Sequence, residues 1–225
     1  PTHKLYPPVN MYNAASSADD KENIILSVSR FEISGSKKQV ELIEAFSALC
    51  RQHPEQTRGW KLVLVGGSTP GNTYLDIVQE AAQKAACDIE IRPNAAVSEV
   101  RDYYRRAALF WHACGLKESK PHLVEHFGMT TVESMQNYCV PIVIDGGGQR
   151  EIVEHGESGF RFSSLEELQA HSLSVMADPK RRLEMARNAY IRSHEFNNEV
   201  FRGKLEQLLD EVENELLGRD VLPRG

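Results

Sequence analysis

Short apolar runs recur along the chain at Ile24–Ser29, Lys61–Val65, Ile89–Arg92, Leu109–His112, Pro141–Ile144 and Gly159–Phe162. Runs of this length between turn residues read as strands. Between them apolar residues fall three and four apart, as at Val40, Ile43, Ala45, Phe46 and Leu49, or Leu75, Val78, Ala82 and Ala85. That spacing predicts amphipathic helices. Strand and helix therefore alternate, which predicts βαβ units and an α/β fold: a doubly wound parallel sheet of about six strands, covered on both faces. The last third changes character. Leu165–Met176, Lys180–Ser193 and Val200–Leu217 all carry helical spacing, with Asp178-Pro179 ending one helix and starting the next.

Composition narrows the picture. With 225 residues, 41% of them hydrophobic, the chain can bury the core of one sizeable domain, placed at 24–217. Residues 13–23 are small and polar without a period, and Pro1–Val9 is Pro-rich with no initiator Met. Residues 1–23 thus read as an interdomain linker and mobile segment, and the chain as a fragment of a longer protein. Residues 218–225 read as a frayed tail. The 26 basic and 32 acidic residues are spread along the chain for a net charge of −6, so no nucleic-acid footprint is expected. No apolar run approaches the roughly 20 residues that span a bilayer. Cys50, Cys87, Cys114 and Cys139 form no CxxC pair, which argues against a zinc ribbon or a disulfide-stapled fold and for a reduced, cytoplasmic setting.

In a doubly wound sheet the ligand binds beyond the carboxyl ends of the strands, so the residues after each run are the candidates. Arg30 follows the first run, and Lys37 and Lys38 precede the next helix. There they would neutralise a diphosphate at a helix N-terminus, or stand as solvated surface charges. The segment Glu125-His126-Phe127-Gly128-Met129-Thr130-Thr131-Val132-Glu133 places a glycine and free helix amides at Gly128 to Thr130, where backbone can approach a phosphate. Glu125 falls in the loop above that helix. Glu133 falls in its first turns, where a carboxylate either binds ribose hydroxyls or complements the helix dipole.

Gly146, Gly147 and Gly148 follow the Pro141–Ile144 run, as close ligand contacts or as an ordinary loop. Arg92 and Pro93 either wall a nucleobase or make a plain turn. His112, in Trp111-His112-Ala113, is a site residue or a hydrogen-bonded core histidine. His122 and His126 flank Glu125 without an evident third ligand, so no metal and no cofactor are expected. Neither a GxGxxG fingerprint nor a Walker A motif is present.

Taken together, Ser29-Arg30 with Lys37, Leu62-Val63-Leu64-Val65-Gly66-Gly67, Val97 to Tyr104, the Glu125-His126-Phe127-Gly128…Glu133 pair, Pro141 to Gly148 and Gly156 to Phe160 resemble the C-terminal domain of the family 4, or group 1, glycosyltransferases over about residues 24–200. The resemblance implies one Rossmann-like half of a two-domain GT-B enzyme, which transfers a sugar from a UDP- or GDP-linked donor with retention and without a tightly bound metal. It implies Arg30 and Lys37 on the diphosphate, supported by amides at Gly128, Met129 and Thr130. Glu133 is implied on the ribose, Glu125 beside the transferred sugar as the catalytic residue, and Gly147 and Gly148 in the sugar pocket. Glu125-His126-Phe127-Gly128 also resembles mannosyltransferases that extend lipid-linked oligosaccharides.

The chain departs from the family in Gly35-Ser36, extra residues that allow Lys38 to replace Lys37. It departs again in a lengthened loop at 113–124, expected to be disordered without donor. The implied partners are the nucleotide diphosphate sugar, a missing N-terminal acceptor domain and a membrane-associated acceptor, which would put the full-length protein at the cytoplasmic membrane face. The isolated chain is expected to bind donor without transferring sugar. A non-enzymatic nucleotide-binding module and a dinucleotide-dependent oxidoreductase are the competing readings, the second opposed by the missing GxGxxG.

Overall fold

The computed structural model describes residues 3–10, 15 and 17–219. Six strands, β1 (Glu22–Val28), β2 (Lys61–Gly66), β3 (Ile89–Pro93), β4 (Ala107–His112), β5 (Val140–Ile144) and β6 (Phe160–Phe162), form one sheet in the order β3-β2-β1-β4-β5-β6. Every pairing is parallel. Helices α1 (Gln39–Gln52), α2 (Thr73–Lys84), α3 (Val97–Arg106), α4 (Met129–Gln136) and the short α5 (Gln149–Ile152) make the crossovers, and α6 (Leu165–Met176), α7 (Pro179–Ser193) and α8 (Asn198–Arg219) follow the sheet. The expected doubly wound α/β architecture of about six strands is therefore present. The order reverses between β1 and β4, which opens a crevice at their carboxyl ends.

Burial explains the strand sequences. β4 lies between β1 and β5, and all six of its residues are buried, so Ala107-Ala108-Leu109-Phe110-Trp111-His112 is apolar almost throughout. Trp111 packs edge-on to Phe46 of α1, and its indole N–H donates to Ser172 Oγ of α6 at 3.0 Å. The edge strand β3 is only partly buried.

Two boundaries differ from the sequence reading. The segment at 1–23 is not loose where it is described: Val9 is buried, its amide donates to Phe196 O, and Tyr6 packs against Phe127 and Phe196. β1 also begins at Glu22 rather than Ile24. The aromatic and apolar residues scattered through a polar stretch gave no periodic signal, yet they cover α4 and the end of α7. Residues 1–2, 11–14 and 16 of that segment lie outside the described residues, as do 220–225 of the expected tail, while Gly218 and Arg219 belong to α8.

Lys21 fastens the same segment to the sheet's amino-terminal side. Its Nζ donates to Tyr104 O and Arg105 O at 3.2 and 2.7 Å and also to Asn137 O. These carbonyls close α3 and α4, where a cation complements both helix dipoles. Burial pushes the Lys21 ammonium below its usual pKa.

Candidate functional site

Glycines and a buried glutamine shape the carboxyl-end loops before any charged group enters. A Cβ on Gly66, at the end of β2, would lie 1.8 Å from Ser29 O, so only glycine lets β1 and β2 end side by side. Gln39 at the start of α1 donates to Ser29 Oγ and Arg30 O, both at 3.0 Å, and fixes the turn after β1. Across the crevice, the Gly147-Gly148 loop packs on the backbone of 125–127. Gly148 N donates to Glu125 O at 3.0 Å, and a Cβ on Gly148 would come within 2.4 Å of Phe127 Cα.

On this frame Lys37, His112 and Glu125 converge. Lys37 Nζ lies 3.1 Å from Glu125 Oε2, and His112 Nε2 lies 3.4 Å from the same oxygen. Lys37 also reaches Cys114 Sγ at 3.6 Å. His112 is buried at the end of β4, and its Nδ1 is 3.4 Å from Gln149 Nε2 of α5. The His112 ring, and after it the Lys37 charge, hold the Glu125 carboxyl down at about 2 against the opposing pull of burial. Burial works to lower the Lys37 pKa, but the Glu125 charge outweighs it and the ammonium is held above its ordinary value.

Gly128 precedes α4 with φ 113°, and no side chain caps the helix. Its positive φ suits glycine. The first helix amides, at Met129 and Thr130, precede Thr131 and Val132, whose N–H groups bond back to Gly128 O. An uncapped helix start of this kind attracts anions.

Glu133 stands apart. It lines a cavity of about 210 Å³ between α3 and α4, with Val97, Val100, Arg101 and Tyr104, and accepts a hydrogen bond from Tyr104 Oη at 2.9 Å. Burial raises the Glu133 pKa, opposed by the Tyr104 hydrogen bond and the Arg101 charge.

The remaining candidates divide. Arg30 is exposed and ion-paired with Glu32 at 2.6 Å, outside the Lys37–Glu125 cluster. Lys38 is held by Glu118 at 2.6 Å and points into the 113–124 loop rather than at Glu125. That loop is ordered, against the expectation of disorder. Leu116 is buried in the core, the Cys114 thiol donates to Leu123 O at 3.5 Å, and Lys38–Glu118 ties the loop to α1. Arg92 bonds Glu90 and Tyr103 at 2.5 and 3.1 Å, and Pro93 pairs with Gly66 at the end of the sheet. His122 and His126 lie on the loop surface, His126 against Pro121 O at 3.1 Å. Sequence reasoning missed Gln149, whose only signal was a polar residue directly after three glycines.

Comparison with known proteins identifies the family and the fold. The family model for glycosyl transferases group 1 matches residues 11–192. A GDP-Man:Man(3)GlcNAc(2)-PP-Dol alpha-1,2-mannosyltransferase of Dictyostelium discoideum is 21% identical over 224 residues, covering 95% of this chain and 43% of that protein. Among solved structures, Anabaena HepE in complex with UDP and glucose aligns with TM-score 0.68 at 21% identity, over 86% of this chain and 49% of HepE. The C-terminal domain of the Francisella tularensis group 1 protein LpcC aligns with TM-score 0.62 at 20% identity, over 86% of this chain and 97% of that domain. The chain thus spans less than half the length of that curated relative. With a family model covering most of its length on the expected doubly wound parallel sheet, the chain belongs to the group 1 glycosyl transferases.

Proposed function

We propose that this domain is the donor-binding half of a retaining glycosyltransferase that takes a hexose from a nucleoside diphosphate sugar. The observation that carries the reading is the convergence of Lys37, Glu125 and His112 at the switch point, beside the uncapped start of α4. A diphosphate there gains charge-assisted contacts from Lys37 and the α4 amides, which stabilise the leaving group as the glycosidic bond breaks. Arg30 swings from its exposed pair with Glu32 to join the clamp.

Glu125 faces the transferred sugar, Gly147 and Gly148 line its pocket, and the α3/α4 cavity with Glu133 receives the nucleoside, with Arg92 and Pro93 near the base. The Dictyostelium relative names GDP-mannose, which makes it the leading donor. UDP-linked sugars follow, from the UDP and glucose in the HepE complex. No resident metal is required in this scheme, and treatment with a chelator is expected to leave nucleotide binding unchanged. A second domain supplies the acceptor wall, because retaining transfer needs an acceptor hydroxyl held against the anomeric carbon. The parent protein works at the cytoplasmic face of a membrane that carries the acceptor.

Thermal shift of the 225-residue chain against GDP, UDP, ADP and NAD tests the reading. Stabilisation by one nucleoside diphosphate and not by NAD is expected, since a ligand that binds only the native state raises stability by mass action. Stabilisation by NAD alone, or by no nucleotide, would overturn it. Transfer is expected only when the second domain is present. Robust transfer by this chain alone would contradict that part.

A further inference from the structure

The geometry points to His112 and Gln149 as a positioning pair: Gln149 fixes the His112 ring from behind, and His112 keeps the Glu125 carboxylate in place when Lys37 turns to a diphosphate. The inference rests on the donor-site reading for what happens on binding, but the pair itself is a property of the free protein.

Among the described residues Glu125 Oε2 has two polar partners, Lys37 Nζ at 3.1 Å and His112 Nε2 at 3.4 Å. They differ in mobility. Lys37 is a flexible side chain in the β1–α1 loop, free to exchange a carboxylate for a phosphate oxygen. His112 ends the central strand β4, is 3% exposed and cannot follow a ligand. It is the partner that remains.

A buried imidazole holds a carboxylate only if the proton sits on the facing nitrogen. Gln149 supplies that condition. Its side chain is fully buried, and Nε2 lies 3.4 Å from His112 Nδ1. An amide donor on Nδ1 leaves the proton of the neutral ring on Nε2, aimed at Glu125. The other amide atom, Gln149 Oε1, is buried without a partner, so the glutamine spends its one side-chain hydrogen bond on the histidine.

The backbone makes room for this arrangement. A Cβ on Gly128 would come within 2.6 Å of Gln149 Nε2, so the glycine before α4 clears the space that the amide occupies. Gly148 N bonds to Glu125 O at 3.0 Å, which places Gln149 and Glu125 on one rigid unit. Cys114 and Lys37 are the other titratable groups facing Glu125, and Glu32 lies near enough to act on both.

The test begins without ligand, by nitrogen-15 and carbon-13 NMR of the 225-residue chain. Wild type should show His112 protonated on Nε2 at neutral pH and Glu125 titrating near pH 2. Gln149→Leu should mix the His112 tautomers and raise the Glu125 titration. His112→Phe should raise it further, and His112→Gln, which keeps a donor at the Nε2 position, should restore most of it. A His112 proton on Nδ1 in wild type, or a Glu125 titration unmoved by both Gln149→Leu and His112→Phe, would overturn the proposal.

The second arm compares GDP with GDP-mannose and UDP with UDP-glucose on the same variants. Gln149→Leu should weaken the sugar nucleotide by about threefold or more relative to its nucleoside diphosphate, while a purely structural role would weaken both alike and overturn the pair's part in binding. If wild type bound neither nucleotide, the donor reading would fail, and the NMR arm would still decide whether the pair exists.

Discussion

Glu125 and Glu133 stand eight residues apart on either side of the same helix start, both partly buried, and their surroundings drive them in opposite directions. Glu125 sits between His112 at the end of β4 and Lys37 of the β1–α1 loop, which hold its carboxyl at about 2. Glu133 accepts a hydrogen bond from a neutral tyrosine beside a cavity, and burial raises its pKa. Burial disfavours a charge in both places, and only at the switch point do a histidine hydrogen bond and the Lys37 charge outweigh it. A permanently charged group suits stabilising positive charge on a reacting sugar, whereas a group with easily exchanged partners suits hydroxyl recognition. The difference lies in the neighbours each backbone brings.

The most disruptive break in this contrast is Gly148→Ala, which forces a Cβ onto the backbone of His126 and Phe127, next to Glu125. Overpacking against backbone is expected to cost about 3 kcal/mol. Denaturant unfolding measures it. A cost under about 1 kcal/mol would show that the Glu125 loop is not rigid.

Next in size is Lys37→Ala, which should weaken nucleoside diphosphate binding tenfold or more, because a charge-assisted hydrogen bond contributes about 1.5 to 3 kcal/mol. Lys38→Ala should leave that affinity within about twofold, since Lys38 is engaged by Glu118. Calorimetric titration of both variants reads the contrast. Equal losses would place the clamp on neither lysine alone.

The pH dependence separates the carboxylates by sign. The folded pKa of Glu125 is depressed, so its contribution is present above the unfolded value and disappears as pH falls from about 4.3 through about 2. Glu125→Gln should therefore cost about 2 kcal/mol at pH 7, discounting for partial exposure, and flatten the acid limb of stability. Glu133 runs the other way: with a raised folded pKa, its contribution is present below the unfolded value and lost as pH rises through the folded one. Glu133→Gln should be neutral or stabilising by less than about 1 kcal/mol at pH 7. Urea denaturation from pH 3 to 8 checks both. The same Glu133→Gln change should weaken ribonucleotides more than 2′,3′-dideoxy analogues, and equal weakening would assign Glu133 to helix support.

What the sequence could reveal follows from range. Strands announce themselves locally, and the six apolar runs fall within two residues of β1 to β6. Gly128 at the start of α4 was legible because a glycine before a helical period is itself a local sign. Long-range side-chain pairs carry no such mark: Lys21 on the ends of α3 and α4, Lys38 on Glu118, Tyr104 on Glu133, and Gln149 behind His112. Each joins residues 29 to 116 positions apart, a separation that no periodicity encodes. The 113–124 loop was misjudged for the same reason, since its polar stretch hides the buried Leu116 and a salt bridge to α1. Arg30 at the strand end and Lys37 before the helix looked alike as diphosphate ligands, yet of the two Lys37 meets Glu125 in the free protein while Arg30 pairs with Glu32.

The central claim is that the switch point binds a diphosphate through Lys37, and isothermal titration of GDP and UDP beside guanosine and uridine tests it most directly. In wild type one nucleoside diphosphate should bind at least tenfold more tightly than its nucleoside, and Lys37→Ala should remove most of that gap while leaving nucleoside affinity intact. A diphosphate that binds no better than its nucleoside, or a gap that survives Lys37→Ala, would contradict the account.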